Sequence, residues 1–127
     1  MKTATQNMQK RSENIKAFLD FIRECQSEYN SAYETVGTED KRTQDLLHAI
    51  EFEPLAKERS KICTKLKTSR MTRRENKDAV EELEPIVELM SDPMAKKTID
   101  KLTQVLGKVR KVEEYHERRS YTPRVNN

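Results

Sequence analysis

Apolar residues recur at heptad spacing over the first third of the chain. Two interleaved sets carry the pattern: Met8, Ile15, Ile22, Tyr29, Val36 and Phe18, Cys25, Ala32. Their three- and four-residue spacing is that of a coiled-coil seam, and Leu19 and Tyr33 widen it. The pattern predicts one long helix from Met8 to Val36. Gly37 suits its C-cap, and Thr38 suits the start of a new helix.

A second helical stripe covers the middle of the chain. Its members are Asp45, His48, Phe52, Leu55, Arg59, Ile62 and Leu66. Pro54 interrupts it and predicts a kink or short break near Phe52. Beyond Leu66 the stripe continues on the polar Ser69 and Arg73. The segment Thr72-Arg-Arg-Glu75 has the form of a capping box, so the helix either restarts at Thr72 or runs on unbroken.

Two further patterns complete the chain. The third comprises Val80, Leu83, Ile86, Val87 and Met90, with Pro85 predicting a kink inside it. Asp92-Pro93 is a good N-cap and first helical residue, opening a fourth pattern. That last pattern comprises Ile99, Leu102, Val105, Leu106, Val109 and Val112. It should end near Arg118–Ser120, because the helix cannot continue through Pro123.

Composition agrees with a helical chain. Of 127 residues, 34% are hydrophobic and 37% charged, with two glycines and four prolines. Such a chain can fill the narrow seam of a bundle but not a thick core, and it has few turns for a β fold. We expect an all-α fold: an elongated antiparallel helical bundle or coiled coil of three to four helices. Residues 1–119 would form one domain and residues 120–127 an extended or disordered tail. The Met8–Val36 heptad could close within one chain or between two copies in a homodimer.

The same composition bounds the compartment. No apolar run has the form of a signal peptide or approaches the roughly 20 residues of a membrane span. Cys25 and Cys63 are too few for a disulfide framework, and both read as small core residues. We therefore expect a cytoplasmic protein without a membrane partner.

No catalytic signature is present. The chain has no nucleophile–base pair, phosphate-binding glycine loop or HExxH motif, so we expect neither an enzyme nor a cofactor. Asp45-x-x-His48 and Glu113-x-x-His116 each pair a carboxylate with an imidazole on a core-side stripe, as in di-iron bundles. In an up-down-up-down bundle these pairs would lie at opposite ends, which argues against a metal site.

Charge is segregated into blocks. Between Lys57 and Lys77 lie nine basic and two acidic residues, and between Asp78 and Asp92 six acidic and no basic ones. In a continuous helix Lys67, Arg70, Arg74 and Lys77 would share one face, with Arg73 beside them. Three interpretations stay open: pairing with the acidic segment, docking on an acidic protein, or sequence-independent binding of nucleic acid.

The C-terminal segment offers a second contact surface. Arg118, Arg119, Tyr121 and Arg124 combine positive charge with an aromatic ring, and both residue types are common interface anchors. An ordinary frayed tail is the alternative. A protein partner is the leading prediction for both surfaces, with nucleic acid on the Lys57–Lys77 face as the alternative.

Three segments together carry a family resemblance: Thr43-Gln-Asp-Leu-Leu-His48, Leu83-Glu-Pro-Ile-Val-Glu-Leu89, and Val105 to Val125 ending in Tyr-Thr-Pro-Arg-Val. They resemble small helical proteins carried by phages and prophages of Gram-positive bacteria. The resemblance covers most of the chain after Val36 and transfers no catalytic residue. It implies a phage protein in the host cytoplasm that modulates or inhibits a macromolecule, such as a defence or replication factor.

Overall fold

The fold is all-α. The computed structural model describes residues 9–125, which contain three helices and no strand: α1, Arg11–Phe52; α2, Ala56–Met90; and α3, Pro93–Arg118. Met8 and the last two residues of the predicted tail lie outside the described residues. None of the described helices has a stretch long and apolar enough to cross a bilayer.

The chain divides into two compact units that share α1. One unit is Ile22–Ser91, and the other comprises the residues up to Phe21 and from Asp92 onward. The contacts of each unit are described separately below.

Helix α1 runs for 42 residues without a break at Gly37. The predicted C-cap there and the new helix at Thr38 are wrong, since no described glycine adopts a positive φ. The reason is visible in the burial pattern. Partly or fully buried positions continue at three- and four-residue spacing past the glycine, on Glu39, Thr43 and Leu46. Tertiary burial of this stripe offsets the low helix propensity of one glycine, about 1 kcal/mol.

One irregularity interrupts the stripe on α1. Leu19, Ile22 and Cys25 follow one another at three-residue steps, where a strict heptad would include one step of four. Leu19 is 2% exposed, whereas Phe18 is 47% exposed. The prediction that Phe18 belongs to the seam is therefore wrong, and Leu19 takes that place.

A short connection joins α1 to α2 and confirms the predicted break at Pro54. The guanidinium Nη1 of Arg59 donates to the carbonyl oxygens of Glu53 and Pro54, at 2.8 and 2.9 Å. The backbone N–H of Leu55 donates to the Glu53 carboxylate at 3.1 Å. These bonds occupy backbone groups that the interrupted helix leaves unpaired.

Helix α2 is continuous through both Thr72 and Pro85. The predicted restart at Thr72 is wrong and the unbroken alternative is confirmed. Buried and half-buried positions explain this, because they keep one three–four spacing along the whole helix: Arg59, Ile62, Leu66, Ser69, Arg73, Asn76, Val80, Leu83, Val87 and Met90. The second and third sequence patterns are thus one seam, joined through polar residues.

In the other unit, the start of α1 packs with α3 around Leu19 and Leu106, which are 2% and 7% exposed. Asp92 and Pro93 take the predicted N-cap and first helical positions, although the Asp92 side chain makes no capping bond. The helix ends at Arg118, as predicted, and residues 119–125 contain no helix.

Candidate functional site

The predicted basic face exists on α2. Because the helix is unbroken, Lys67, Arg70 and Arg74 lie on one side of it, and all three are exposed. Lys77 continues the row, half-buried beside a groove of about 260 Å³ that Tyr33 and Val36 also line. None of the four makes an ion pair with another of the described residues.

Arg73 does not belong to this exposed row. Its Nε lies 2.5 Å from Oδ1 of Asp40 on α1, and its side chain is 25% exposed. Arg73 occupies a position of the buried seam, and its guanidinium donates to Asp40 of α1. Arg73 was predicted to bind a partner with this row; the structure shows its side chain paired with Asp40, and its role in partner binding stays a prediction.

A buried hydrogen bond joins α2 to α1 next to the exposed row. The Ser69 hydroxyl donates to Oε1 of Glu39 at 2.7 Å, and both residues are less than a tenth exposed. Arg42 approaches the same carboxylate oxygen, with its Nε at 3.2 Å. Ser69 immediately precedes Arg70, so this contact ties the backbone of the basic row to α1. Removing only one partner of such a buried pair leaves the other without a hydrogen bond and costs free energy. The pair therefore favours a single register of α2 against α1.

The two charge blocks do not fold back on each other. The basic block and the acidic residues from Asp78 to Glu88 lie in the one helix α2, so the interpretation that the basic segment packs beside a separate acidic helix is wrong. The row instead continues into the acidic block at unchanged spacing, on Glu81, Glu84 and Glu88, which are all exposed. Sequence reasoning missed this continuation, although the three–four spacing from Lys77 onward signals it.

One member of each carboxylate–imidazole pair contacts another residue. His48 and Asp45 are exposed rather than on the core stripe, and His48 Nδ1 lies 3.9 Å from Glu51. Glu113 does lie on the seam of α3, where it accepts bonds from the Ser12 hydroxyl at 2.5 Å and the Ser12 N–H at 3.1 Å. These two bonds hold the pKa of Glu113 below its usual range. Within residues 9–125 no three His, Cys, Asp or Glu side chains converge as ligands.

The C-terminal residues lie in the unit that contains α3. Arg118 ends the helix, and the Arg119 N–H donates to the Tyr115 carbonyl at 2.9 Å. Tyr121 is 80% exposed and Arg124 is exposed. Lys67, Arg70 and Arg74 belong to the other unit.

The two cysteines differ in environment. Cys25 is buried in the seam of α1, and burial, with some help from Glu28, raises the pKa of its thiol. Cys63 is exposed, so its prediction as a core residue is wrong. It lies on the same side of α2 as Lys67, one turn earlier.

Comparisons with protein-family models, with curated proteins and with solved structures found no match to this chain.

Proposed function

We propose that this chain is a non-enzymatic binding protein whose basic row of Lys67, Arg70 and Arg74 docks on an acidic protein surface and thereby modulates that partner. One observation carries the proposal. Three cations stand exposed on a single continuous helix, and none is neutralised by another described residue. Fixed, unpaired charge of one sign attracts a surface of the opposite sign and sets its orientation.

The row favours a protein over nucleic acid. From Lys67 to Lys77 it spans about 15 Å, at 1.5 Å per residue. Along the same line it gives way to Glu81, Glu84 and Glu88, whose charges repel a phosphate backbone that follows the helix. No aromatic side chain lies within the row to stack on bases. Nucleic acid is therefore the second candidate.

The helices that present the row have the spacing of coiled-coil seams. We propose that α1 and α2 pack in this manner, and that the contacts of Arg73 with Asp40 and of Ser69 with Glu39 keep the row rigid. A rigid row loses little conformational entropy on binding. The phage context and the tail surface at Arg118, Arg119, Tyr121 and Arg124 stay predictions.

An affinity capture from bacterial lysate, with and without nuclease, tests the proposal. The test variant is Lys67→Gln/Arg70→Gln/Arg74→Gln. The matched control is Lys96→Gln/Lys97→Gln/Lys101→Gln, which removes the same charge from exposed positions on α3. A protein captured by the wild type and the control, lost with the test variant and resistant to nuclease supports docking on a protein.

Two other results would contradict docking of the row on a protein. Capture that disappears after nuclease treatment identifies nucleic acid as the ligand. Equal capture by wild type and test variant contradicts a role for the row and directs attention to the tail.

A further inference from the structure

One face of α2 carries opposite charges in its two halves. Seven residues at alternating three- and four-residue steps form this face: Lys67, Arg70, Arg74, Lys77, Glu81, Glu84 and Glu88. Six are exposed and Lys77 is half-buried. None of the seven forms an ion pair with another residue in the described part of the chain. The face is about 32 Å long, at 1.5 Å per residue, and changes sign at its middle.

Such a face is complementary to itself when reversed. A two-fold axis between Lys77 and Asp78 sets three basic residues opposite three acidic residues of a second copy, and each pair occurs twice. Lys67 comes opposite Glu88 and Arg74 opposite Glu81, and Arg70 comes within one residue of Glu84. A parallel, in-register pairing would instead oppose like charges. Charge alone therefore selects the antiparallel arrangement.

The apolar residues beside the face agree with this register. Met71, 56% exposed, comes within one residue of the exposed Pro85 of a second copy under the same two-fold axis. Both lie at the next position around the helix, so they flank the row of charges on one side. A contact between them excludes water from neighbouring ion pairs, which strengthens those pairs.

We propose that the face from Lys67 to Glu88 on α2 binds a second copy of this chain in antiparallel orientation. The inference rests on the proposed function in one respect, because it uses the same basic row as a docking surface. In the absence of another partner, the second copy would occupy that row. The homodimer predicted through the Met8–Val36 heptad uses α1, whereas this one uses the outer side of α2.

The charge-based interface has a characteristic salt dependence. Exposed ion pairs are individually weak, and one helix face is small for a stable interface. The dimer should therefore form at low ionic strength and dissociate as salt is added. Raising salt from 0.01 M to 1 M shortens the screening distance from about 30 Å to about 3 Å. We expect the dissociation constant to rise by at least about tenfold over that range.

Charge exchange between two variants tests the pairing. One variant is Lys67→Glu/Arg70→Glu/Arg74→Glu, and the other is Glu81→Lys/Glu84→Lys/Glu88→Lys. By sedimentation at low salt, each alone should be a monomer of about the 15.0 kDa chain mass. An equimolar mixture should regain a species of twice that mass. Recovery in the mixture shows that both variants are folded. The control Lys96→Glu/Lys97→Glu/Lys101→Glu should dimerise like the wild type.

Crosslinking tests the register. In a Cys63→Ser background, Asp78→Cys places a thiol beside the two-fold axis, where a short bismaleimide should join two copies. In the wild type, Cys63 would lie about 44 Å from its mate along the helix pair, at 1.5 Å per residue, so the same reagent should leave the copies unlinked.

Each remaining outcome bears on the inference. A wild type that stays monomeric at low salt overturns it, and if the basic row still captures another protein, the proposed function survives. Two reversed variants that each still dimerise also overturn it. A dimer that obeys charge exchange, in a protein that captures no other partner, supports the inference and refutes docking on a different protein.

Discussion

Arg73 and Asp40 form an ion pair between α2 and α1, with Nε 2.5 Å from Oδ1. The basic block therefore contains arginines of two kinds, one engaged in packing and the others exposed. Arg73 stabilises the packing of α1 against α2, while its neighbour Arg74 and the preceding Arg70 are exposed. The block is thus partly a structural element and partly a surface, and the division follows from the buried seam on α2.

This division predicts different costs for adjacent arginines. Arg73→Ala removes a half-buried ion pair and should lower the free energy of unfolding by about 1 kcal/mol. Arg74→Ala is the matched control and should change it by less than about 0.5 kcal/mol, because its side chain is exposed. Urea denaturation followed by circular dichroism measures both. An equal or larger loss for Arg74→Ala would contradict the assignment of Arg73 to the seam.

The buried contact between Ser69 and Glu39 should show strong coupling. Glu39→Ala leaves the Ser69 hydroxyl without its acceptor, at a cost of about 1–3 kcal/mol. Adding Ser69→Ala to that variant should cost less than Ser69→Ala costs in the wild type. The test is a double-mutant cycle in urea. Additive costs would show that the hydrogen bond does not set the register of α2.

The contact of Ser12 with Glu113 predicts an acid-sensitive stability. Because the pKa of Glu113 is lowered in the folded chain, the stability that it contributes is fully present above its unfolded pKa of about 4.5. It is lost as pH falls through the folded value. Glu113→Gln should therefore destabilise the protein at pH 7 and much less at about pH 3.

The neighbouring Glu114→Gln is the control for that experiment, since Glu114 is exposed. Unfolding by urea at the two pH values gives the comparison. A Glu113→Gln variant that loses the same stability at both would show that the carboxylate charge plays no part at Ser12.

The thiols should react at very different rates. Burial raises the pKa of Cys25 and shields it, whereas Cys63 is exposed. An aromatic disulfide reagent should modify Cys63 rapidly in the native protein and Cys25 only after unfolding. Cys63→Ser should remove the rapid phase. A rapid phase that persists in Cys63→Ser would contradict the burial of Cys25.

The sequence pattern predicted most helix positions because local signals set them. Pro54 and the Asp92-Pro93 pair each act within one turn of the chain, and both predictions are confirmed. The prediction at Gly37 was wrong because the free energy gained by burying residues on either side of it exceeds the cost of one glycine in a helix. Phe18 and Leu19 were exchanged because one three-residue step shifts the seam, and no local signal marks it.

The contacts that define the candidate site depend on how α1 and α2 are aligned. Asp40 and Arg73 are 33 residues apart, and Glu39 and Ser69 are 30 apart. Which residues meet across that distance depends on where α1 ends and α2 begins, and a shift of one residue changes every partner. By contrast, the exposed row of Lys67, Arg70 and Arg74 depends only on one helix being continuous. The spacing of these residues in the sequence was therefore enough to predict the row.

The most direct test of the account is the binding of a fluorescent polyglutamate peptide, followed by anisotropy at low and high salt. The wild type and Lys96→Gln/Lys97→Gln/Lys101→Gln should bind it in a salt-sensitive way. Lys67→Gln/Arg70→Gln/Arg74→Gln should bind at least about tenfold more weakly, because its docking charges are gone. Equal binding by the two triple variants would show that net charge alone acts, and would contradict a docking surface on α2.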